Sequence, residues 1–173
     1  LMALSSIGAV AVCLISWLTS DELKYGFMES KVKLVFNDEQ RLAKIKGFVS
    51  EMGVQTVLCR HQNSDKSDEF WNSLLTSKNN ELPRTTIDQD SDFAVMYTSG
   101  STGHPKGVVM THRGAISTLM SWHFGLRVLD VMGLGPVPYV DKNNQPYQPC
   151  QLVSVPFFHV SGTHGGLLLA LWS

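Results

Sequence analysis

Apolar positions open the chain: LMALSSIGAVAVCLISWL, Leu1 to Leu18, carries no charged side chain. A run of that length brings a membrane-spanning helix or a signal peptide into view. It lacks a basic leader and a small-residue cleavage site, and Ser5, Ser6, Gly8 and Ser16 dilute it. The pattern favours a buried helix over Leu1 to about Ile7, then a buried strand from Ala9 to Ile15. Thr19 with Glu22 three positions on has the form of a capping box and predicts a helix through about Met28. KVKLVF, Lys31 to Phe36, alternates and is rich in strand-forming residues. Leu42, Ile45, Val49 and Met52 then fall at helical spacing, with Gly53 as a fitting C-cap, and Val54 to Arg60 predicts another strand. Strand, helix, strand from Lys31 to Arg60 is the βαβ signature of a parallel sheet.

The polar connection from Asn63 to Asp90 holds one apolar cluster, Phe70, Trp71, Leu74 and Leu75, which predicts a short amphipathic helix. DFAVMYTS is a predicted buried strand that leads into a glycine-rich stretch. VVMTH predicts a short strand, and Thr111 is placed to cap a helix through about Phe124. Val128 to Gln151, rich in Gly, Pro, Asn and Gln, predicts a long loop; LVSVP predicts a strand, and a buried helix opens near Ser161. There is no internal repeat.

Composition narrows the classes. The chain has 173 residues, 43% hydrophobic and 17% charged, which suits one domain with a real core and argues against global disorder. A net charge of -1 leaves no electrostatic footprint for nucleic acid or for an anionic membrane surface. Cys13, Cys59 and Cys150 are odd in number and widely spaced, against a disulfide scaffold and in keeping with a reducing compartment. The chain begins inside an apolar run and stops straight after GGLLLALW, so it reads as a piece of a longer domain.

The candidate chemistry lies in YTSGSTGHPKG, Tyr97 to Gly107. Glycines let a backbone bend sharply and turn its N–H groups toward an anion, hydroxyls add donors, and a lysine adds a compact positive charge. Here Thr98, Ser99, Ser101 and Thr102 are the donors, Gly100, Gly103 and Gly107 free the backbone, Lys106 is the cation, and Pro105 stiffens the exit. A Walker loop is excluded, because Pro-Lys-Gly and β-branched valines stand where Gly-Lys-Ser/Thr should open a helix. The dinucleotide fingerprint is excluded by the glycine spacing. A ligand-free surface turn is the plain alternative, and the fixed order of strand, hydroxyls, glycines and Pro-Lys-Gly argues against it.

This stretch resembles the signature phosphate loop of the adenylate-forming superfamily: acyl-CoA synthetases, coumarate-CoA ligases, beetle luciferases and the adenylation domains of peptide synthetases. Two further stretches support the resemblance. SVPFFHVSG, Ser154 to Gly162, is similar to the family's Pro-x-Phe-His segment beside the acyl pocket. Ile7 to Phe36 resembles the upstream helix, strand, helix, strand of the large domain. Together they cover nearly all of the chain, with 60–91 and 128–151 least constrained.

The resemblance implies an α/β fold: residues 1–173 as part of the large N-terminal domain, a mostly parallel sheet flanked by helices, with the C-terminal lid domain absent. It implies an acid–thiol ligase that joins a fatty or aromatic carboxylic acid to ATP, with Mg²⁺, and passes the acyl group to coenzyme A. An amino-acid adenylation module and a non-catalytic ATP-binding remnant stay open as alternatives. It further implies that Thr98, Ser99, Gly100, Ser101, Thr102, Gly103 and Lys106 surround the β- and γ-phosphates, and that His159 lies near the reacting carboxylate. His159 reads equally well as a core histidine between Phe158 and Val160, and Phe157, Phe158 and Gly162 as pocket wall or as ordinary core. His159 and His164 stand five apart, a spacing that does not favour zinc. His104 and His112 read as surface residues flanking the loop, and Trp122 and His123 as packing. The family's Tyr-Gly-x-Thr-Glu segment, its ribose-binding aspartate and its distal lysine do not appear, so the chain alone is not expected to complete the reaction. The expected setting is cytoplasmic, membrane-peripheral or peroxisomal, with no membrane span.

Overall fold

Helix starts are set by side chains that satisfy orphan backbone donors. The computed structural model describes residues 1–59, 69–78, 81–98, 103–135, 140–147 and 150–172, with the side chains of 69 and 70 outside that set. A short helix α1, Met2–Ser6, precedes strand β1, Ala11–Cys13. Helix α2, Ser20–Ser30, begins with the predicted capping box: the Glu22 N–H donates to Thr19 Oγ1 at 3.3 Å, and Glu22 Oε2 accepts from the Thr19 N–H at 2.8 Å. Strand β2, Leu34–Asn37, leads to α3, Glu39–Val49, whose cap is Asp38; its Oδ1 accepts from the Arg41 N–H at 2.8 Å. Strand β3, Gln55–Leu58, follows. Helix α4, Glu69–Thr76, lies on the polar connection where the apolar cluster predicts it.

Strands β4, Asp92–Thr98, and β5, Lys106–Thr111, form an antiparallel hairpin. Thr111 then caps helix α5, His112–Val131, by accepting from the Gly114 N–H at 3.1 Å. A π-helix, Ser161–Leu168, runs into α6, Leu169–Trp172.

The βαβ reading of Lys31 to Arg60 holds for the described part: β2 and β3 pair in parallel, with Leu34 opposite Gln55 and Asn37 opposite Leu58. The sheet as a whole is only partly parallel. Among the described residues β2 and β3 form their own two-stranded sheet, while the second sheet has the order β1-β4-β5, parallel between β1 and β4 and antiparallel between β4 and β5. Each sheet has its own core. Ala11, Phe93, Ala94, Ala115, Leu119 and Leu168 pack the second sheet against α5 and the π-helix. Leu23, Phe27, Ile45, Phe48, Val49 and Val54 join α2 and α3 to β3, with Phe27 edge-on to Phe48 at 5.5 Å.

Three expectations need correction. The α1 helix has no buried residue, because only Leu1 and Leu4 reach the core from the side. Helix α5 continues past Phe124 to Val131, into the stretch predicted as loop; Val128 to Val131 keep helical spacing before Gly133 turns the chain at φ 71°. LVSVP is not a strand. Leu152 is 93% exposed, and none of the described strands lies beside this segment to take its backbone hydrogen bonds. No helix among the described residues is long and apolar enough to cross a membrane.

Candidate functional site

The glycine-rich stretch lies in sequence between β4 and β5, which pair as an antiparallel hairpin. Tyr97 pairs with Gly107 and Thr98 with Lys106, so residues 99–105 form the connection between two hydrogen-bonded strands. Gly107 leaves room for its neighbours: a Cβ there would stand 2.9 Å from Val95 Cγ1 and 3.2 Å from Tyr97 Cζ, and those side chains would have to shift. Thr98 and Lys106, at the two feet of the loop, are both exposed, and the Thr98 hydroxyl lies 3.5 Å from the Lys106 carbonyl oxygen. Gly103 takes φ 91°, a region open to glycine and strained for other residues. Pro105 is buried and His104 exposed. Ser99, Gly100, Ser101 and Thr102 lie outside the described residues.

Helix α2 supports this hairpin. The Tyr97 hydroxyl donates to the Gly26 carbonyl at 3.2 Å, and Tyr97 is only 2% exposed. Burial, followed by the neighbouring Glu29 carboxylate, pushes its pKa up to about 12. The His104 ring stacks on Tyr25, with centroids 5.0 Å apart and planes 26° from parallel. Farther along, Asp90 and Arg113 fix the base of the hairpin by a two-pronged ion pair of 2.6 and 2.7 Å, which holds the Asp90 carboxyl below its ordinary value.

His159 sits in a tight turn. Its N–H donates to the Pro156 carbonyl at 3.1 Å, and its own carbonyl accepts from the Thr163 N–H at 2.9 Å. The Thr163 hydroxyl donates to the Phe157 carbonyl. The His159 ring is exposed and tilts 46° against Phe158 at 4.7 Å, so it is no core histidine. Phe158 in turn meets Trp17 edge-on at 4.9 Å, while Phe157 is 53% exposed. Gly162 is buried where a Cβ would strike the carbonyls of Val155 and Pro156.

The segment Trp17 to Tyr25 thus touches both candidate parts: Trp17 faces the turn of His159 and Tyr25 faces the exit of the loop. Sequence reasoning missed both aromatics. The signal available was the capping box at Thr19, which fixes where α2 starts and hence which side chains share its face.

The other histidines correct one expectation, that His112 is a surface residue. His112 is half-buried, edge-on to Phe93 at 5.3 Å, and its Nε2 has no hydrogen-bond partner among the described residues. His164 is 1% exposed, also faces Phe93, and has an unpartnered Nδ1; burial pushes its pKa down. Among the described residues no group of three or more His, Cys, Asp or Glu side chains is arranged to hold a metal ion. Among the described residues, one cavity of about 710 Å³ runs along Leu34, Val49 and Val54 to Val57, and another of about 300 Å³ lies between α1, α5 and α6, lined by Phe93, His112 and Trp172 among others. Neither is lined by Thr98, Lys106 or His159.

A glycine-rich stretch between paired strands, with a histidine-bearing turn against Trp17 just ahead of α2, is an arrangement that comparison with known proteins decides. The sequence profile of the AMP-binding enzyme family matches residues 1–173. The chain belongs to that family. Among curated members of it, 4-coumarate–CoA ligase CCL1 of Humulus lupulus is 31% identical over 172 residues, covering 98% of this chain and 29% of that protein. The 4-coumarate–CoA ligase 2 of Petroselinum crispum is 30% identical over 164 residues, covering 95% of this chain and 27% of that protein. The chain therefore spans under a third of the length of these AMP-binding relatives. Among solved structures, the inhibitor-bound N-terminal domain of FACL13 from Mycobacterium tuberculosis matches 97% of this chain and 37% of its own, with a TM-score of 0.68 at 25% identity. ATP-bound MatB from Rhodopseudomonas palustris matches 98% of this chain and 30% of its own, with a TM-score of 0.66 at 20% identity, a likeness of fold. The mixed α/β architecture is thus that of the N-terminal domain of AMP-binding enzymes.

Proposed function

We propose that the protein carrying this chain is an AMP-forming acid–CoA ligase for an aromatic or fatty carboxylic acid, and that residues 1–173 form part of its large N-terminal domain. The observation that carries this reading is the hairpin: the family's phosphate-loop sequence sits between paired strands, with Thr98 and Lys106 exposed at its two feet. The names of the curated relatives favour an aromatic acid.

In the first step one carboxylate oxygen attacks the α-phosphorus of ATP, and the bond from that phosphorus to the bridging oxygen breaks. The acyl-adenylate forms and pyrophosphate leaves with the bond's electrons. Its developing charge needs fixed donors. Thr98, Ser99, Ser101 and Thr102 supply hydroxyls, Gly100 and Gly103 let backbone N–H groups face the phosphates, and Lys106 supplies the cation. His159, exposed on its turn, is the residue to donate a hydrogen bond to the acid's carboxylate. In the second step the thiol sulfur of coenzyme A attacks the acyl carbon and AMP departs. Mg²⁺, entering with the nucleotide, would neutralise phosphate charge; no side chain of this chain is assigned to it.

The test is acid-dependent AMP release by the protein carrying this chain, assayed with a panel of hydroxycinnamic, benzoic and fatty acids, with and without coenzyme A. The expected result is AMP release for one class of acid, with acyl-CoA formed only when the thiol is present. Failure of every acid to release AMP would overturn the reading.

A further inference from the structure

Both arms of the phosphate hairpin reach one turn of α2. From β4, the Tyr97 hydroxyl donates to the Gly26 carbonyl. From the returning arm, the His104 imidazole stacks on Tyr25, the residue before Gly26. Glu22, three positions earlier on α2, shares the face of Tyr25. Its carboxyl is held below its ordinary value chiefly by the backbone and side-chain hydrogen bonds from Thr19, and the His104 imidazole adds to that effect. His104 therefore stacks on Tyr25, on the helix turn that follows Glu22.

The two fastenings differ in kind. The Tyr97 bond is buried and belongs to the fold. The Tyr25–His104 stack is at the surface: Tyr25 is 36% exposed and His104 exposed. Surface stacking adds little to folding, so its main effect is on where the loop's exit stands. Gly103, at φ 91°, stands in a backbone region that side-chain-bearing residues rarely adopt. After His104, the buried Pro105 has a ring-locked φ and passes directly to Lys106. Lys106 opens β5 opposite Thr98, so its backbone is held by the ladder on one side and reached from residue 104 through Pro105 on the other.

We propose that Tyr25 is a positioning residue for Lys106, holding His104 by ring stacking and so fixing the place of the lysine before nucleotide arrives. The inference rests on the ligase reading above. A cation already in place needs no reorganisation as charge develops on the departing pyrophosphate, whereas an untethered one must be ordered at each turnover. The acid side should not sense the change, because the His159 turn leans on Trp17 instead.

The experiment is acid-dependent ATP–pyrophosphate exchange by the protein carrying this chain, comparing Tyr25→Ala, Tyr25→Phe, His104→Ala and the double alanine variant. Loss of one ring stack corresponds to a fall of about three- to tenfold in kcat/KM for ATP. Tyr25→Ala and His104→Ala should each show that fall, with the KM for the acid and the Tm unchanged. Tyr25→Phe keeps the ring and should restore the parent value, and the double variant should lose no more than either single one. Because His104 is exposed on the loop, its variant keeps the test decisive if Tyr25→Ala folds poorly. Exchange equal to the parent in both alanine variants would overturn the proposal. So would a deficit that Phe does not restore, or one that the acid's KM shares. Absence of exchange in the parent would instead overturn the ligase reading, and this inference with it.

Discussion

Tyr97, the last buried residue of β4, donates its hydroxyl to the carbonyl of Gly26 in the middle of α2, at 3.2 Å. That bond joins the strand leading into the glycine-rich stretch to the helix whose Tyr25 stacks on His104 at that stretch's exit. A Cβ at Gly26 would lie 2.8 Å from Leu14 Cδ2, so a larger residue there would need the Leu14 side chain to turn aside.

Tyr97→Phe removes the bond and keeps the ring. The Gly26 carbonyl still accepts from the Ser30 hydroxyl at 2.5 Å, so the loss should be modest, about 1 kcal/mol of unfolding free energy near neutral pH. The pH dependence has a definite sign. The folded-state pKa of about 12 lies above the ordinary value of 10.0, so the folded protein holds its phenol proton where the unfolded chain has lost it. This contribution is fully present below about pH 10 and is lost as pH rises from about 10 to about 12. Denaturant titrations across that window should show a steeper loss in the parent than in Tyr97→Phe.

His164 predicts the opposite limb. Its folded-state pKa is depressed by burial below 6.5, so the unfolded chain binds the proton first as pH falls. Its contribution is present above about pH 6.5 and is lost as pH drops through that value toward the folded-state pKa. His164→Leu, which also removes the unpartnered Nδ1, should flatten the acid limb of stability in denaturation measured between about pH 7.5 and pH 5.

Gly162→Ala should be severe. The added Cβ would stand 2.6 Å from the Val155 carbonyl oxygen and closer still to that of Pro156. Neither is a side-chain tip that can swing aside, so the turn carrying His159 must move. A loss of about 2–3 kcal/mol is expected. Thermal unfolding measures it, and a Tm equal to the parent's would show that the turn yields freely.

Local signals were legible where one or two residues decide the outcome. Thr19 with Glu22 marked the start of α2, Thr111 that of α5, and the strand, helix, strand order from Lys31 marked β2 and β3 as a parallel pair. The antiparallel β4–β5 hairpin went unread, because a long glycine-rich connection does not declare the direction of its two strands. LVSVP has strand composition, but strand formation needs a neighbour, and pairing is a tertiary fact that propensity does not contain. Within the candidate site, the loop residues stood out by their order. Tyr25 and Trp17 did not, since an aromatic on a helix face or in a loop has no signature apart from its partner.

The central claim is that this hairpin serves the phosphates of ATP, and Lys106 tests it most directly. The measurement is acid-dependent ATP–pyrophosphate exchange by the protein carrying this chain, parent against Lys106→Ala. Removing one fixed group that stabilises charge in the transition state predicts a fall of about 100-fold in exchange rate, with the KM for the acid nearly unchanged. Lys106 is exposed, so the Tm should stay at the parent value. An exchange rate equal to the parent's would contradict the claim.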